Sequence, residues 1–396
     1  MSGIKYFPTK LNIENKTIIL RVDLNVPIKN HEIQDFTRIS LILPFLNELI
    51  SRKSKIVILT HLGRPKDGKN KELSLMPVYK YLKKEIKSNL YFYAGDVDEE
   101  TKKKITYLKK GDVLLLENIR FFQEESSNDE LFAKKLANLG EIYINDAFSC
   151  SHRKQASLHK ITKFINETYA GPLLKKEVEA IDMVIKNKKK PVTCIIGGSK
   201  ISTKINVISN LIKNVDSIII VGAMANNFLA YKGFKIGKSL IEKNTREIIK
   251  DIYSYSEKFN CKIVIPEDFY VSKSFDGLAT LKENKSVADD ELILDIGDST
   301  IKKIEKEIDN SNTVLWNGPA GYFENENFNK GTNAIAEKIS ENTVNKSLIS
   351  ILGGGDTVSA INKIKKELSF THLSTAGGAF LEYLEGKDLP GISVLK

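Results

Sequence analysis

The sequence predicts an α/β protein built as two doubly wound, Rossmann-like parallel-sheet domains joined by a helix hinge. Short β-branched apolar runs recur along the chain without polar alternation, the pattern of strands buried on both faces. Amphipathic stretches of helix length separate most of them, which makes neighbouring strands parallel and the crossovers right-handed. At 396 residues the chain also exceeds what one hydrophobic core usually serves.

Strands are expected at 17–22, 54–60, 112–116 and 141–144 in the first half, and at 192–196, 217–221, 262–265, 313–316 and 347–352 in the second. Between the halves, the turn signal Tyr169-Ala170-Gly171-Pro172 opens a helix with Leu174, Val178, Ile181 and Ile185 on one face. The expected division is therefore a first domain over 1–170 and a second over 171–378.

Composition narrows the function. No apolar run approaches the ~18–20 residues of a membrane span, and the N-terminus lacks the apolar core of a signal peptide, so a cytoplasmic protein without a membrane partner is expected. Cys150, Cys194 and Cys261 are odd in number and widely spaced, against both a disulfide framework and a zinc site. The net charge of +10 divides as +8 over residues 1–170 and +2 over the rest, so the first half is the better host for an anion. Much of that excess lies in lysine runs such as Lys102-Lys103-Lys104, and no aromatic-studded basic tract accompanies it, so no nucleic acid partner is expected.

In open parallel sheets ligands bind at the carboxyl ends of strands, which directs attention to the residues just after each one. Strand 17–22 runs into Arg21-Val22-Asp23-Leu24-Asn25-Val26-Pro27, setting Asp23 and Asn25 on one side of an extended segment. The next three strand ends are Thr60-His61-Leu62-Gly63-Arg64-Pro65, Glu117-Asn118-Ile119-Arg120-Phe121 and Asn145-Asp146-Ala147-Phe148-Ser149-Cys150-Ser151-His152-Arg153. A single arginine in such a place usually makes a surface ion pair, but three at successive ends suit bidentate capture of phosphate or carboxylate. Arg38 is a fourth candidate.

In the second half no Gly-x-x-x-x-Gly-Lys-Ser/Thr occurs, which argues against a P-loop ATPase. Strand 192–196 leads instead into Gly197-Gly198-Ser199-Lys200-Ile201-Ser202-Thr203-Lys204. A helix beginning at the glycines would put Lys200 and Lys204 on one face, either solvated or gathered around an anion. Strand 313–316 leads into Asn317-Gly318-Pro319 and on to Glu324. Strand 347–352 leads into Gly353-Gly354-Gly355-Asp356-Thr357 and a helix, where glycines admit a phosphate, the helix N-terminus attracts it and Asp356 can hold Mg2+.

Arg-Val-Asp-Leu-Asn-Val-Pro, His-Leu-Gly-Arg-Pro, Glu-Asn-Ile-Arg-Phe and Asn-Asp-Ala-Phe, in this order and spacing, closely resemble the phosphoglycerate kinase family, and the resemblance covers nearly the whole chain. It implies that Asp23, Leu24, Asn25, Arg38, His61, Leu62, Gly63, Arg64, Arg120 and Arg153 contact 3-phosphoglycerate. It implies a nucleotide site from Gly198, Lys200, Lys204, Asn317, Glu324, Gly354, Gly355, Asp356 and Thr357, with Mg2+ on Asp356. Arg38, Lys204, Gly355 and Gly377 would stand at the transferred phosphoryl group, passed between 1,3-bisphosphoglycerate and ADP to give 3-phosphoglycerate and ATP.

The resemblance further implies a monomer that closes its domains about the hinge, with residues 379–396 returning to the first domain, so that deleting 385–396 would uncouple closure. Departures from the family's common residues fall at Ser149-Cys150-Ser151, Gln155, Thr203, Ala320 and Ala376. Two other readings remain. A nicotinamide-dependent dehydrogenase would need a Gly-x-Gly-x-x-Gly turn followed by an acidic residue about 20 positions on, and this is missing. A non-catalytic scaffold binding phosphoglycerate and nucleotide would not need Arg38, Lys204 and Asp356 all together.

Overall fold

A computed structural model of the chain describes residues 3–66 and 68–396. They form two compact units. The first comprises the residues up to Glu177 together with Asp388–Lys396, and the second is Val178–Lys387.

In the first unit, β1 (Thr17–Arg21), β2 (Lys55–Leu59), β3 (Leu90–Tyr93), β4 (Val113–Leu116), β5 (Ile142–Asn145) and β6 (Glu167–Ala170) form one parallel sheet in the order β3-β4-β2-β1-β5-β6. The four inner strands are those expected, and apart from Thr17 and Lys55 every residue in them is buried. The edge strands β3 and β6 were not expected. Only Leu90 of β3 is buried and β6 opens on exposed Glu167, so neither carries the continuous apolar run of a central strand. The helix Thr37–Ser51 buries Ile39, Ile42, Phe45, Leu46 and Leu49, spaced three and four apart, against this sheet.

The second unit holds β7 (Val192–Ile196), β8 (Ser217–Ile220), β9 (Lys262–Val264), β10 (Asp268–Ser272), β11 (Thr280–Glu283), β12 (Leu292–Ile296), β13 (Thr313–Asn317), β14 (Ile349–Gly353) and β15 (His372–Ser374). Six make a parallel sheet in the order β9-β8-β7-β13-β14-β15, and β11-β10-β12 make a separate antiparallel one. The second domain thus has the expected parallel sheet and, in addition, an antiparallel one that was not expected, whose strand β11 reads Thr-Leu-Lys-Glu and is nearly all exposed. In both parallel sheets strand order reverses once, between β1 and β5 and between β7 and β13. Those are the switch points where a ligand crevice opens.

The helix Pro172–Ile185 starts where its Gly-Pro signal places it and carries the chain from the first unit into the second. Its first turn is held by Asp146, whose Oδ1 accepts from the Leu173 and Leu174 amides at 2.7 and 3.0 Å. Burial, opposed by those two bonds, pushes the Asp146 carboxyl up to about 7.

The C-terminal residues are structural parts of the first unit. Lys5 donates its amide to Leu395 O at 2.7 Å, Gly391 donates to Ser151 O at 2.8 Å, and Asn145 Nδ2 donates to Gly391 O at 2.9 Å. Leu389, Ile392 and Leu395 are buried. At ~1.5–3 kcal/mol per buried side chain, these three represent roughly 5 kcal/mol or more, comparable to a whole domain's stability. Deleting residues 385–396 is therefore expected to unfold the first unit, read as a lost or strongly lowered thermal transition, rather than only to free a hinge. A truncated chain with an unchanged melting profile would contradict this.

Candidate active site

The first unit's switch point gathers its polar residues onto a rigid frame. Asp23 lies two residues beyond β1; its carboxylate takes Arg38 at 2.8 Å, the Asn25 amide at 2.9 Å and the Ser149 hydroxyl. Arg38 reaches back from the start of its helix and also donates to Asn25 O at 2.9 Å. Asn25 Oδ1 accepts from the Gly63 amide at 2.8 Å, tying the β1 and β2 exits together. Arg120 donates to Gly63 O at 2.8 Å from the β4 exit.

His61 is buried, and its Nδ1 stands 3.3 Å from a guanidinium nitrogen of Arg21, so Nδ1 accepts and Nε2 carries the proton. Burial, opposed by Asp23 but reinforced by Arg21, Arg120 and Arg38, holds its pKa well below the ordinary value, leaving a neutral ring at neutral pH. Burial also raises the Asp23 pKa, but His61, Arg38, Ser149 and Asn25 together outweigh it. Because His61 is neutral, the durable partners of that carboxylate are Arg38 and the two hydrogen bonds. Burial brings Arg120 down to about 10, opposed by Cys150 and reinforced by Arg21 and Arg153. Crowding like charges at one sheet edge stores repulsion that an incoming anion relieves.

Arg21 itself is fully buried, bonded to Ser157 Oγ at 3.0 Å, while Ser157 donates from its hydroxyl and amide to Glu125 at 2.7 and 2.9 Å. This layer beneath His61 is invisible in sequence because its members lie more than 30 residues apart. Leu24 and Leu62 were expected at the substrate, but both side chains belong to the hydrophobic core, and the Leu24 amide already donates to Thr60 Oγ1 at 2.9 Å. Arg64 is exposed, Arg153 half-buried, and Gln155 buried with its Oε1 lacking a hydrogen-bond partner.

Asp23, His61 and Cys150 offer donor atoms within 4.8 Å of one another. The set does not suit a cation. Arg21 holds the imidazole nitrogen that accepts, Arg38 occupies the carboxylate, and Arg120 adds a third positive charge nearby.

In the second unit, the exits of β7 and β13 meet so closely that a Cβ at Gly197 would sit 2.3 Å from Pro319 O, and one at Gly318 2.5 Å from Gly197 O. Lys204 closes this junction. Its ammonium donates to Asn317 Oδ1 at 2.6 Å and to Gly197 O, and Asn317 Nδ2 donates to Gly353 O at 2.6 Å. Burial, eased by Asp356, brings Lys204 down to about 8. Asn317, expected to line the nucleotide, is turned inward and holds Lys204 instead.

Lys200 and Lys204 do not share a helix face. The helix begins at Ile205, and the preceding residues form a turn in which the Lys204 amide bonds Ile201 O at 2.9 Å. Lys200 is exposed on it.

Gly354, at φ +103°, makes the turn into the helix Gly355–Asn362, a conformation that side chains rarely adopt. The amides of Gly355, Asp356 and Thr357 lack intrahelical partners and carry the helix's positive end. The Thr357 hydroxyl is consumed, accepting from the Gly318 amide at 2.7 Å and donating to Gly353 O at 3.0 Å, so only its amide remains for a ligand. Asp356 and Glu324 both line a cavity of about 330 Å3 that runs past Gly198 to an apolar end formed by Leu240, Phe275 and Tyr322. Its size and mixed lining suit a nucleotide, and Asp356, at the start of the glycine-rich helix, fits Mg2+, which takes one or two carboxylates plus substrate phosphates.

A Cβ at Gly355 or Gly377 would meet nothing within 4 Å. Packing therefore does not require glycine at either place, whereas a ligand approaching the backbone would. Gly355→Ala is expected to leave the melting temperature within a degree or two while weakening nucleotide binding or turnover by about ten-fold or more. Gly197→Ala is expected to cost about 1–3 kcal/mol of stability by overpacking. Thermal melts and kinetics on the two variants check both, and equal melting temperatures would contradict the distinction. The Ala376 amide is taken by Ser374 Oγ at 3.1 Å, so that departure leaves no free donor there.

Fold and geometry thus define a class: a two-unit α/β protein with a cationic, arginine-lined edge on one parallel sheet and a glycine-rich edge bearing a lysine and an aspartate on the other. The chain belongs to the phosphoglycerate kinase family, whose family model, described as "Phosphoglycerate kinase", matches residues 9–387. It is 40% identical over 398 residues to the phosphoglycerate kinase of Chelativorans sp. (strain BNC1), covering 100% of each chain. It is 45% identical over 391 residues to that of Buchnera aphidicola subsp. Schizaphis graminum, covering 98% of this chain and 97% of the other. The solved phosphoglycerate kinase from Coxiella burnetii matches with a TM-score of 0.88 at 38% identity, over 98% of this chain and 97% of that one. Among the described residues, no helix is long and apolar enough to cross a membrane.

Proposed function

We propose that this chain catalyses reversible phosphoryl transfer from 1,3-bisphosphoglycerate to MgADP, giving 3-phosphoglycerate and MgATP, as a cytoplasmic monomer. The observation that carries the reading is the Lys204 ammonium, partly desolvated and held between two glycine-rich strand exits beside Asp356. Asp23, Asn25, His61, Arg38, Arg64, Arg120 and Arg153 would bind the phosphoglycerate. Gly198, Lys200, Lys204, Glu324 and the amides at Gly354–Thr357 would bind the nucleotide.

Mg2+ arriving with the nucleotide would sit on Asp356 and neutralise phosphate charge. In the ATP-consuming direction the nucleophile is a carboxylate with a pKa near ~4, already ionised at neutral pH, so no general base is needed. This accords with a His61 that is buried, neutral and bonded to an arginine. Catalysis then rests on alignment and on Arg38, Lys204 and backbone amides facing the charge on the phosphoryl oxygens. Direct transfer requires both substrates in line, for which the helix Pro172–Ile185 would serve as hinge.

The test is chemical. With ATP, Mg2+ and 3-phosphoglycerate, hydroxylamine should trap an acyl phosphate as hydroxamate. Folded protein that binds both ligands and forms no hydroxamate would instead establish the scaffold reading.

A further inference from the structure

The turn Gly198–Lys204 carries both candidate phosphate lysines, yet it is neither helix nor strand, so something outside it must set its shape. Glu242 does this. Its Oε2 accepts the Ser202 amide at 3.0 Å and its Oε1 accepts the Ser202 hydroxyl at 2.5 Å. Burial raises the Glu242 pKa, but Ser202, Ile201 and Lys200 together hold it below the usual range, so it is a carboxylate at neutral pH.

Glu242 is itself anchored. Its amide donates at 2.9 Å to Oδ1 of Asn227, a buried residue of the helix Ala225–Tyr231, and the neighbouring Asn226 donates to Leu240 O at 3.1 Å. Just before that helix, the Met224 amide donates to Gly198 O at 2.8 Å. One short stretch, Met224–Asn227, therefore grips the turn at both ends, at Gly198 directly and at Ser202 through Glu242.

We infer that Glu242 is a positioning residue for phosphoryl transfer: its carboxylate fixes the Ser202 corner so that Lys200 and Lys204 present their ammonium groups to the nucleotide phosphates. The inference rests on the nucleotide reading of that turn. Without the carboxylate the Ser202 amide and hydroxyl lose their acceptors, the corner relaxes, and part of the nucleotide's binding must go to reordering it.

Glu242→Ala is expected to weaken MgADP binding by about ten-fold, measured calorimetrically, and to raise KM for MgATP by a similar factor, with KM for 3-phosphoglycerate unchanged. Glu242→Gln separates geometry from charge. Its amide can accept from the Ser202 N–H with its oxygen and donate to the Ser202 oxygen with its nitrogen, so near wild-type affinity is expected. Ser202→Ala, which removes only the hydroxyl contact, should give a smaller loss of about three-fold in the same direction.

Unchanged MgADP affinity in both Glu242→Ala and Ser202→Ala would overturn the inference. So would Glu242→Gln binding tighter than wild type, because the carboxylate would then be competing with phosphate for Lys200. A wild-type protein that binds no MgADP would instead remove the nucleotide reading itself, a distinct failure.

Discussion

Replacing Lys204 with alanine is expected to lower kcat by about a hundred- to a thousand-fold while leaving KM for 3-phosphoglycerate nearly unchanged. The expectation follows from where the ammonium sits. It is clasped by Asn317 Oδ1 and Gly197 O, so it cannot swing to water, and its partial desolvation strengthens its action on developing charge. An arginine there would not substitute, because the planar fork needs more room than a junction where Gly197 and Gly318 touch.

The Lys204 pKa of about 8 adds a pH signature. In the free protein the ammonium is lost as pH rises through about 8, so kcat/KM for MgATP should fall roughly ten-fold per unit above it. Bound phosphates favour the charged form, so the corresponding limb in kcat should lie higher. For stability the sign is opposite: between about 8 and the ordinary lysine value the unfolded chain holds a proton that the folded one lacks. Lys204 thus contributes stability that rises with pH across that window, and Lys204→Met should abolish that rise. Pre-steady-state and steady-state pH profiles distinguish these effects, and an alkaline limb surviving in Lys204→Met would assign it elsewhere.

Replacing Arg38 should produce a loss of the same order, by a different route. Its guanidinium links Asp23 and Asn25 O and, on the proposed reading, would face the phosphoryl group. Arg38→Ala removes that charge and also leaves Asp23, a carboxylate only about a tenth exposed, with Ser149 and the Asn25 amide as its remaining partners. We expect kcat to fall about a hundred-fold or more and 3-phosphoglycerate binding to weaken only several-fold, since Arg120 and Arg153 remain. Arg38→Lys should recover little, because an ammonium cannot bridge two acceptors and a phosphoryl oxygen in one plane. Binding lost entirely with kcat preserved at saturation would contradict this division of roles.

Much of this architecture was legible because the strands that carry the site are central ones. β1, β2, β4 and β5, and β7, β13 and β14, lie inside their sheets, so each reads as a continuous apolar run ending in a motif. The edges β3 and β6 were not legible, since one exposed face breaks that run. The antiparallel strands β10–β12 were missed because β11 is mostly charged or exposed and β12 interrupts its apolar residues with Asp295.

Within the site, residue types were easier to read than their roles. The family resemblance brought out Asn317, Leu24 and Leu62, yet only packing reveals that Asn317 holds a lysine and that the two leucines are core. Glu242 and Ser149 carry no local signal, since each acts on a residue distant in sequence, 40 and 126 positions away respectively. The helical placement of Lys200 and Lys204 failed because contacts from outside the segment, at Gly198 and Ser202, overrode its local periodicity.

The central claim is that two separately built sites serve one phosphoryl transfer. Its most direct test is 3-phosphoglycerate-dependent ATP consumption with Mg2+, coupled to glyceraldehyde-phosphate dehydrogenase and NADH, run beside Lys204→Ala. Robust turnover by the wild-type chain that collapses in the variant is the predicted result. Folded wild-type protein that binds both ligands but consumes no ATP, or a variant as active as wild type, would contradict it.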